Sequence, residues 1–133
     1  MSGFEHTLAL SASGMQAQAQ RLRHVTENIA NADTPGYRRK TISFHPDALP
    51  GDNPGAASGV RAGPVTLDER ALIRIYDPGN ILADDTGHYL GSNVDLIVEM
   101  ADAREAQRSY EANLKMFDQA RQMSQALLSL LRR

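Results

Sequence analysis

The chain has 133 residues, 41% of them hydrophobic and 23% charged, which accommodates one ordinary domain and excludes two of typical size. Aromatics make up only 5%, with no Trp, three Phe and four Tyr, so the large side chains that usually fill a globular core are scarce. A formal charge of −2 removes the broad field of a general nucleic-acid binder, and the absence of cysteine excludes disulfides, thiolate zinc sites and cysteine nucleophiles.

Residues 4–32 contain no Pro, and Gly14 is their single glycine. Leu8, Met15, Leu22 and Ile29 recur every seventh residue, with Phe4, Ala12, Ala19 and Val25 at intermediate helical spacings. Seven residues make nearly two turns of a 3.6-residue helix, so these side chains form one stripe. The pattern predicts an amphipathic helix of about 27 residues, roughly 40 Å long, whose stripe is its packing face. Residues 1–20 carry no Lys or Arg and no continuous apolar stretch, so a cleaved secretory signal is not expected.

Thr34-Pro35-Gly36-Tyr37 ends this helix. Proline presets φ at the first central position of a turn, glycine tolerates φ > 0 at the second, and Thr34 is pushed out of helical geometry by the proline after it. Tyr37-Arg38-Arg39-Lys40 is a basic patch beside a ring, too short and too isolated in an acidic chain to read as a nucleic-acid site, and a protein contact is expected there. Residues 41–45 alternate as one short strand. The stretch 46–64 holds four Pro and four Gly and reads as an extended, mobile loop. Residues 65–67 and 71–76 are expected to pair as a hairpin through Asp68-Glu69-Arg70, with a turn at Asp77-Pro78-Gly79 and a short extended piece at 88–90.

A second long helix is expected from Ser92 or Asn93, either of which can cap its first turn, and neither Pro nor Gly follows. Leu96, Met100, Ala103, Tyr110, Leu114, Phe117, Leu128 and Leu131 fall at heptad-like positions. An adjacent stripe runs through Ala106, Ala120, Met123, Leu127 and Leu130, with Asn113 as its polar member. Leu128 and Leu131 are expected against Leu8 and Phe4, leaving Leu127 and Leu130 for another molecule. The fold class is therefore mainly α with a small β segment, divided as 1–36, 37–91 and 92–133. Two long terminal helices form a coiled-coil-like hairpin around a Pro/Gly-rich middle. Helices of this length bury wide apolar faces only against each other and against neighbouring molecules, so an assembly subunit is expected.

Little in the chain suggests catalysis. Asp85-Thr86-Gly87 spells the tripeptide of aspartic proteases but occurs once, where two aspartates must share a proton. His6, His24, His45 and His88 lie in separate segments without metal-ligand spacing, and no nucleotide-binding glycine pattern occurs. No enzyme activity, cofactor or metal is expected.

Asn28-Ile29-Ala30-Asn31-Ala32-Asp33-Thr34-Pro35-Gly36-Tyr37 resembles the N-terminal signature of bacterial flagellar rod and hook proteins, and Gln107-Arg108-Ser109-Tyr110-Glu111-Ala112-Asn113 matches their C-terminal helix. Within that superfamily, Tyr76-Asp77-Pro78-Gly79, Leu82-Ala83-Asp84, Gly87, Asn93-Val94-Asp95 and Glu99-Met100 are similar to the proximal rod proteins. Ile81 and Ser92 stand where proline is usual, which keeps the companion proximal rod protein as the alternative.

The resemblance implies a structural subunit of the flagellar basal body, exported through the flagellar type III apparatus without a cleaved signal and residing in the periplasmic rod. Its implied partners are copies of itself, other rod proteins, the export apparatus and basal-body ring components, with no nucleic acid and no membrane span. Asn28, Asn31, Thr34, Pro35, Gly36 and Tyr37 are the implied turn motif. A cytoplasmic coiled-coil adaptor or export chaperone is the reading from another class; it needs neither the turn nor the Gly/Pro-rich middle.

Overall fold

A computed structural model describes residues 3–49 and 59–132. Helix α1 spans Gly3–Ala30, 28 residues, and helix α2 spans Leu96–Leu131, 36 residues. Between them lie β1 (Lys40–Thr41), β2 (Phe44–Asp47), β3 (Gly59–Ala62), β4 (Thr66–Leu67), β5 (Arg74–Tyr76) and β6 (His88–Leu90). They pair as three antiparallel two-stranded ribbons, β1 with β4, β2 with β3 and β5 with β6.

The expected hairpin between 65–67 and 71–76 does not form. Thr66–Leu67 pairs back to Lys40–Thr41, and Arg74–Tyr76 pairs forward to His88–Leu90. The reason lies in the connecting residues, which are committed elsewhere: the Asp68 amide donates to the Arg39 carbonyl, and the Asp68 and Arg70 carbonyls accept from Asn93. The extended piece at 88–90 is present as β6. The strand expected over 41–45 is split between β1 and β2, and the expected loop 46–64 contains β3. That strand lies against α1, with the Val60 amide donating to Ser13 Oγ at 3.2 Å. Residues 50–58 of that loop are outside the described residues.

The two helices run antiparallel in a register fixed by Asn28 opposite Glu99, Arg21 beside Asp102, and Gly14 against Asn113. The side chains facing across the pair are small or polar. On α1, Ser11, Gly14, Ala17, Val25 and Asn28 are buried; on α2, Glu99, Ala106 and Ala120 are. A Cβ on Gly14 would lie 2.6 Å from Asn113 Oδ1, so glycine is what lets the backbones approach there. The seam is thus displaced around α1 from the stripe that hydrophobic periodicity marks, and on α2 it runs through Ala106, Asn113 and Ala120 of the adjacent stripe instead of the heptad-like leucines. Leu8, Met15 and Leu22 flank it half-buried, Ile29 is exposed, and Val25 alone of the stripe is fully buried.

Helix α2 starts later than expected. Asp95 is its N-cap, with φ −106° and ψ 112°, and its carboxylate accepts from the Ile97 amide at 3.0 Å. Ser92 and Asn93, the expected caps, are buried and tie the helix start to the rest of the chain. Ser92 Oγ donates to the Ala32 carbonyl, and the Asn93 side chain bridges Arg39, Asp68 and Arg70.

The expected pairing of Leu128 and Leu131 with Leu8 and Phe4 is also overturned. Continued along the pair, the observed register sets Met123 level with Phe4, so Leu128 and Leu131 lie beyond Gly3. The accessible surface is 9138 Å², against about 6,900 Å² for a globular monomer of this mass. The molecule is a slender helical hairpin, with the β1/β4 and β5/β6 ribbons beside the C-terminal end of α1 and the β2/β3 ribbon along its middle.

Candidate functional site

The signature residues build a polar clamp where α1, the turn, β1 and the start of α2 meet. Asn28 is completely buried and its carboxamide makes four hydrogen bonds, the full capacity of that group. Its Oδ1 accepts from the Lys40 amide at 2.9 Å and the Tyr37 hydroxyl at 2.8 Å. Its Nδ2 donates to the Lys40 carbonyl at 2.9 Å and to Glu99 Oε2 at 3.2 Å. The edge of the β segment is therefore sewn to both helices by one side chain. Burial pushes the Tyr37 phenol above its ordinary pKa, against the opposing pull of Lys40, so the hydroxyl stays a donor.

The turn is closed from within. Asn31 Nδ2 donates to the Glu27 carbonyl at 2.9 Å, satisfying one of the last helical acceptors, while Asn31 Oδ1 accepts from Thr34 Oγ1 at 3.1 Å. The Tyr37 amide donates to the Thr34 carbonyl at 3.2 Å across Pro35-Gly36, and Gly36 has φ +74°. Pro and Gly occupy the central turn positions as the sequence indicates. The Gly36 amide also reaches the Leu90 and Gly91 carbonyls, which fastens the turn to the end of β6.

Arg39 is the cationic half of the clamp. Its Nε donates to Glu99 Oε1, its Nη2 to Asp102 Oδ2 at 2.6 Å, and Asp68 approaches its Nη1 at 3.9 Å. Glu99 has no accessible surface; a buried carboxylate is tolerable only when paired and hydrogen-bonded, and Arg39 and Asn28 supply both. Arg21 adds pairs to Asp102 at 3.3 Å and Glu105 at 3.4 Å. Lys40 pairs with Glu27 at 2.7 Å; its hydrogen bond holds the Glu27 carboxyl below its usual range, and Glu27 raises Lys40 in return. Arg38 donates to the Asp68 and Arg70 carbonyls. The basic run 38–40 is thus spent on contacts inside the chain, and an incoming phosphate would have to displace them.

Asp84 organises the Asp85-Thr86-Gly87 segment as a turn. Its Oδ1 accepts from the Thr86 amide at 2.9 Å, the Thr86 hydroxyl at 2.6 Å and the His88 amide at 3.1 Å, and Gly87 has φ +80°. These bonds, the Thr86 hydroxyl foremost, keep the Asp84 carboxyl below its ordinary pKa.

Comparison with known proteins follows this geometry closely. A family model described as flagella basal body rod protein matches residues 8–38, which are α1 and the turn, and a model described as flagellar basal body rod FlgEFG protein C-terminal matches residues 86–130, which are β6 and α2. The chain is 41% identical over 130 residues to the flagellar basal-body rod protein FlgC of Agrobacterium fabrum, covering 92% of this chain and 91% of that one. It is 35% identical over 127 residues to FlgC of Salmonella typhimurium, covering 91% and 92%, and 30% identical over 144 residues to FlgC of Bacillus subtilis, covering 94% and 96%. The chain belongs to the FlgC family of flagellar basal-body rod proteins. It is a structural subunit of the basal-body rod, and its relatives are structural rod proteins.

For a FlgC-family subunit, the surface outside the clamp is as informative as the clamp. Leu96, Met100, Tyr110, Leu114, Leu127, Leu128, Leu130 and Leu131, all expected as packing residues, are exposed. Phe4, Phe117 and Asn113 are half-buried, Asn113 because it fills the space beside Gly14. The structure brings Asn28, Asn31, Thr34, Gly36 and Tyr37 together in one bonded unit with exposed Pro35 at its bend. Spacing and composition assign no role to Arg39, Asp68, Asn93, Glu99 or Asp102 in that unit. One signal does point there: Glu99, Asp102 and Ala106 lie at helical spacing on one face of α2, and a carboxylate on a face of small residues needs a cation from elsewhere in the chain.

Proposed function

We propose that this FlgC-family subunit polymerises through its terminal helices to build the proximal rod and carry torque along it, in contact with copies of itself, other rod proteins and basal-body ring components. It reaches the periplasm through the flagellar type III apparatus without a cleaved signal, and it has no catalytic role and takes up no cofactor. One observation carries the assembly reading: apart from Val25, the buried side chains of the intramolecular seam are small or polar, while most large apolar residues of α2, among them Leu96, Met100, Leu114, Leu127, Leu128, Leu130 and Leu131, stay exposed. Burying one leucine is worth roughly 1.5–3 kcal/mol, and in a polymer that contribution recurs at every subunit. Among the described residues no helix is long and apolar enough to cross a membrane, which fits a subunit that is held in place by packing against its neighbours.

A rod that transmits torque needs subunits that do not shear internally. The clamp suits that demand, since it ties α1, α2 and two ribbons at one end through charge-assisted bonds of defined geometry. The test is Leu127→Asp in the full chain. The expected result is a normal secreted amount with loss of incorporation into basal bodies and loss of motility, because a carboxylate buried without a partner is costly. Wild-type incorporation with full motility would overturn the assembly role of this face.

A further inference from the structure

Every strand of a two-stranded ribbon has one outer edge, and the three ribbons close theirs unequally. In antiparallel pairing, alternate residues turn both amide and carbonyl away from the partner strand. On β1 that residue is Lys40, whose amide and carbonyl are both held by Asn28. On β6 the His88 amide donates to Asp84 Oδ1, the His88 carbonyl accepts from the Asp84 amide, and the Leu90 carbonyl accepts from the Gly36 amide. β3 turns the Val60 amide to Ser13 on α1, and the outer edge of β2 is interrupted by Pro46, which has no amide hydrogen.

β4 and β5 differ. The Asp68 amide donates to the Arg39 carbonyl, the Gly91 amide to the Ile73 carbonyl and the Asp77 amide to the Gly87 carbonyl, which sets the residues that face inward. Leu67 on β4, and Arg74 and Tyr76 on β5, therefore face outward. Among the described residues no hydrogen bond reaches their amides or carbonyls. Apolar side chains stand exposed along both edges, Leu67 and Val65 on one, Ile73, Tyr76 and Leu90 on the other. Such an edge is matched by one chemistry, an extended backbone that returns its alternating donors and acceptors.

The pairing that growth requires selects the occupant. β5 against β5 of a second copy would close a dimer and leave β4 open, whereas β4 against β5 covers both edges of every subunit inside a stack and leaves one of each at its ends. We propose that β4 of one copy pairs antiparallel with β5 of a second, joining the β1/β4 ribbon of one subunit and the β5/β6 ribbon of the next into one four-stranded sheet. The inference rests on the self-assembly reading above and gives it a main-chain contact in the β segment, separate from the helices.

The test uses full-length variants in purified basal bodies. Outward residues oppose outward residues, so Leu67 stands opposite Arg74 or Tyr76 of the second copy, with Cα atoms about 5.5 Å apart, inside the roughly 4.4–6.8 Å that a disulfide spans. The chain contains no cysteine, so introduced pairs report single contacts. After mild oxidation, Leu67→Cys/Arg74→Cys or Leu67→Cys/Tyr76→Cys is expected to give a ladder of dimers, trimers and higher species, and each single variant none. Amide exchange of the wild-type chain reads the same contact if the variants fail to incorporate: the Leu67, Arg74 and Tyr76 amides are expected to exchange freely in the isolated subunit, beside a protected Asp77, and all three to become protected in basal bodies. Linkage of Arg74→Cys or Tyr76→Cys to itself, linkage only to another rod protein, incorporated double variants that do not link, or free exchange at these three amides in basal bodies would overturn the proposal. Self-assembly would survive each of those results and would fall instead if the same particles held a single copy of the subunit.

Discussion

The clamp end and the tail end of this hairpin are built on opposite principles. At the clamp, polar groups are buried and saturated: Asn28 makes four hydrogen bonds, and Glu99 is enclosed by Arg39 and Asn28. At the tail, apolar groups are exposed and unsatisfied, with Leu127 at 48% and Leu131 at 75% of full exposure. Directional bonds tolerate few arrangements, so the clamp defines one register for one chain. Apolar contact is non-directional and additive in area, which suits a surface that meets other molecules. A polymer subunit gains from this separation, because its internal geometry is settled before its association surface is covered.

The largest blow to the clamp is Arg39→Ala, which strands the Glu99 carboxylate in the interior. Removing one partner of a buried pair costs about 3–5 kcal/mol, and urea unfolding of the full chain should show a midpoint lowered accordingly; a change under about 1 kcal/mol would mean that water reaches Glu99. Next comes Gly36→Val. A β-branched residue at φ +74° is strained by about 1–3 kcal/mol, and the same substitution should misdirect the chain as it leaves α1, lowering rod incorporation more than secretion. Unchanged incorporation would show that the exit direction of the turn is immaterial to assembly. Asp95→Ala removes the N-cap of α2 and should cost about 1 kcal/mol, whereas Ser92→Ala should act through the lost bond to the Ala32 carbonyl and leave the first turn of α2 in place. Amide exchange at Ile97 and Val98 separates the two.

Acid sharpens the same contrast. The hydrogen bonds from Arg70 hold the Asp68 carboxyl below its ordinary 3.8, and Lys40 holds Glu27 below 4.5. Carboxylates depressed in the folded state stabilise it above their unfolded pKa values, and that contribution is lost as pH falls through the folded ones. Amides around residues 37–41 and 68–70 should therefore lose exchange protection below about pH 4, while residues 124–131, which carry no acidic group, should be indifferent. The smallest effect expected on the isolated subunit is that of Leu127→Asp. An exposed position away from other features shifts stability by about 0.5 kcal/mol or less, so a variant that folds normally yet fails to assemble would place the whole cost of the carboxylate at the intermolecular contact.

Much of this architecture is legible in the amino-acid sequence by itself. Runs without Pro, with Gly14 as the one glycine inside them and apolar residues at helical spacing, determine two long helices because little in those segments competes with i→i−4 bonding. The Thr34-Pro35-Gly36-Tyr37 turn follows from two backbones restricted in complementary ways. The signature motifs at both ends determine the family. Three matters were decided only by the tertiary structure. The seam falls on small and polar residues because close approach, through Gly14, and ion pairing, through Glu99, decided the interface where leucine spacing pointed elsewhere. Strand partners were decided over distance: Thr66–Leu67 and Arg74–Tyr76 each have a nearer candidate in sequence, but the carbonyls of Asp68 and Arg70 between them are held by Asn93. Helix α2 begins at Leu96 because Ser92 and Asn93, equally good caps by local rules, are drawn into bonds with Ala32 and Arg39 that only the folded chain brings within reach. Local backbone preference is written residue by residue, whereas the choice among equally competent polar partners depends on which of them folding brings together.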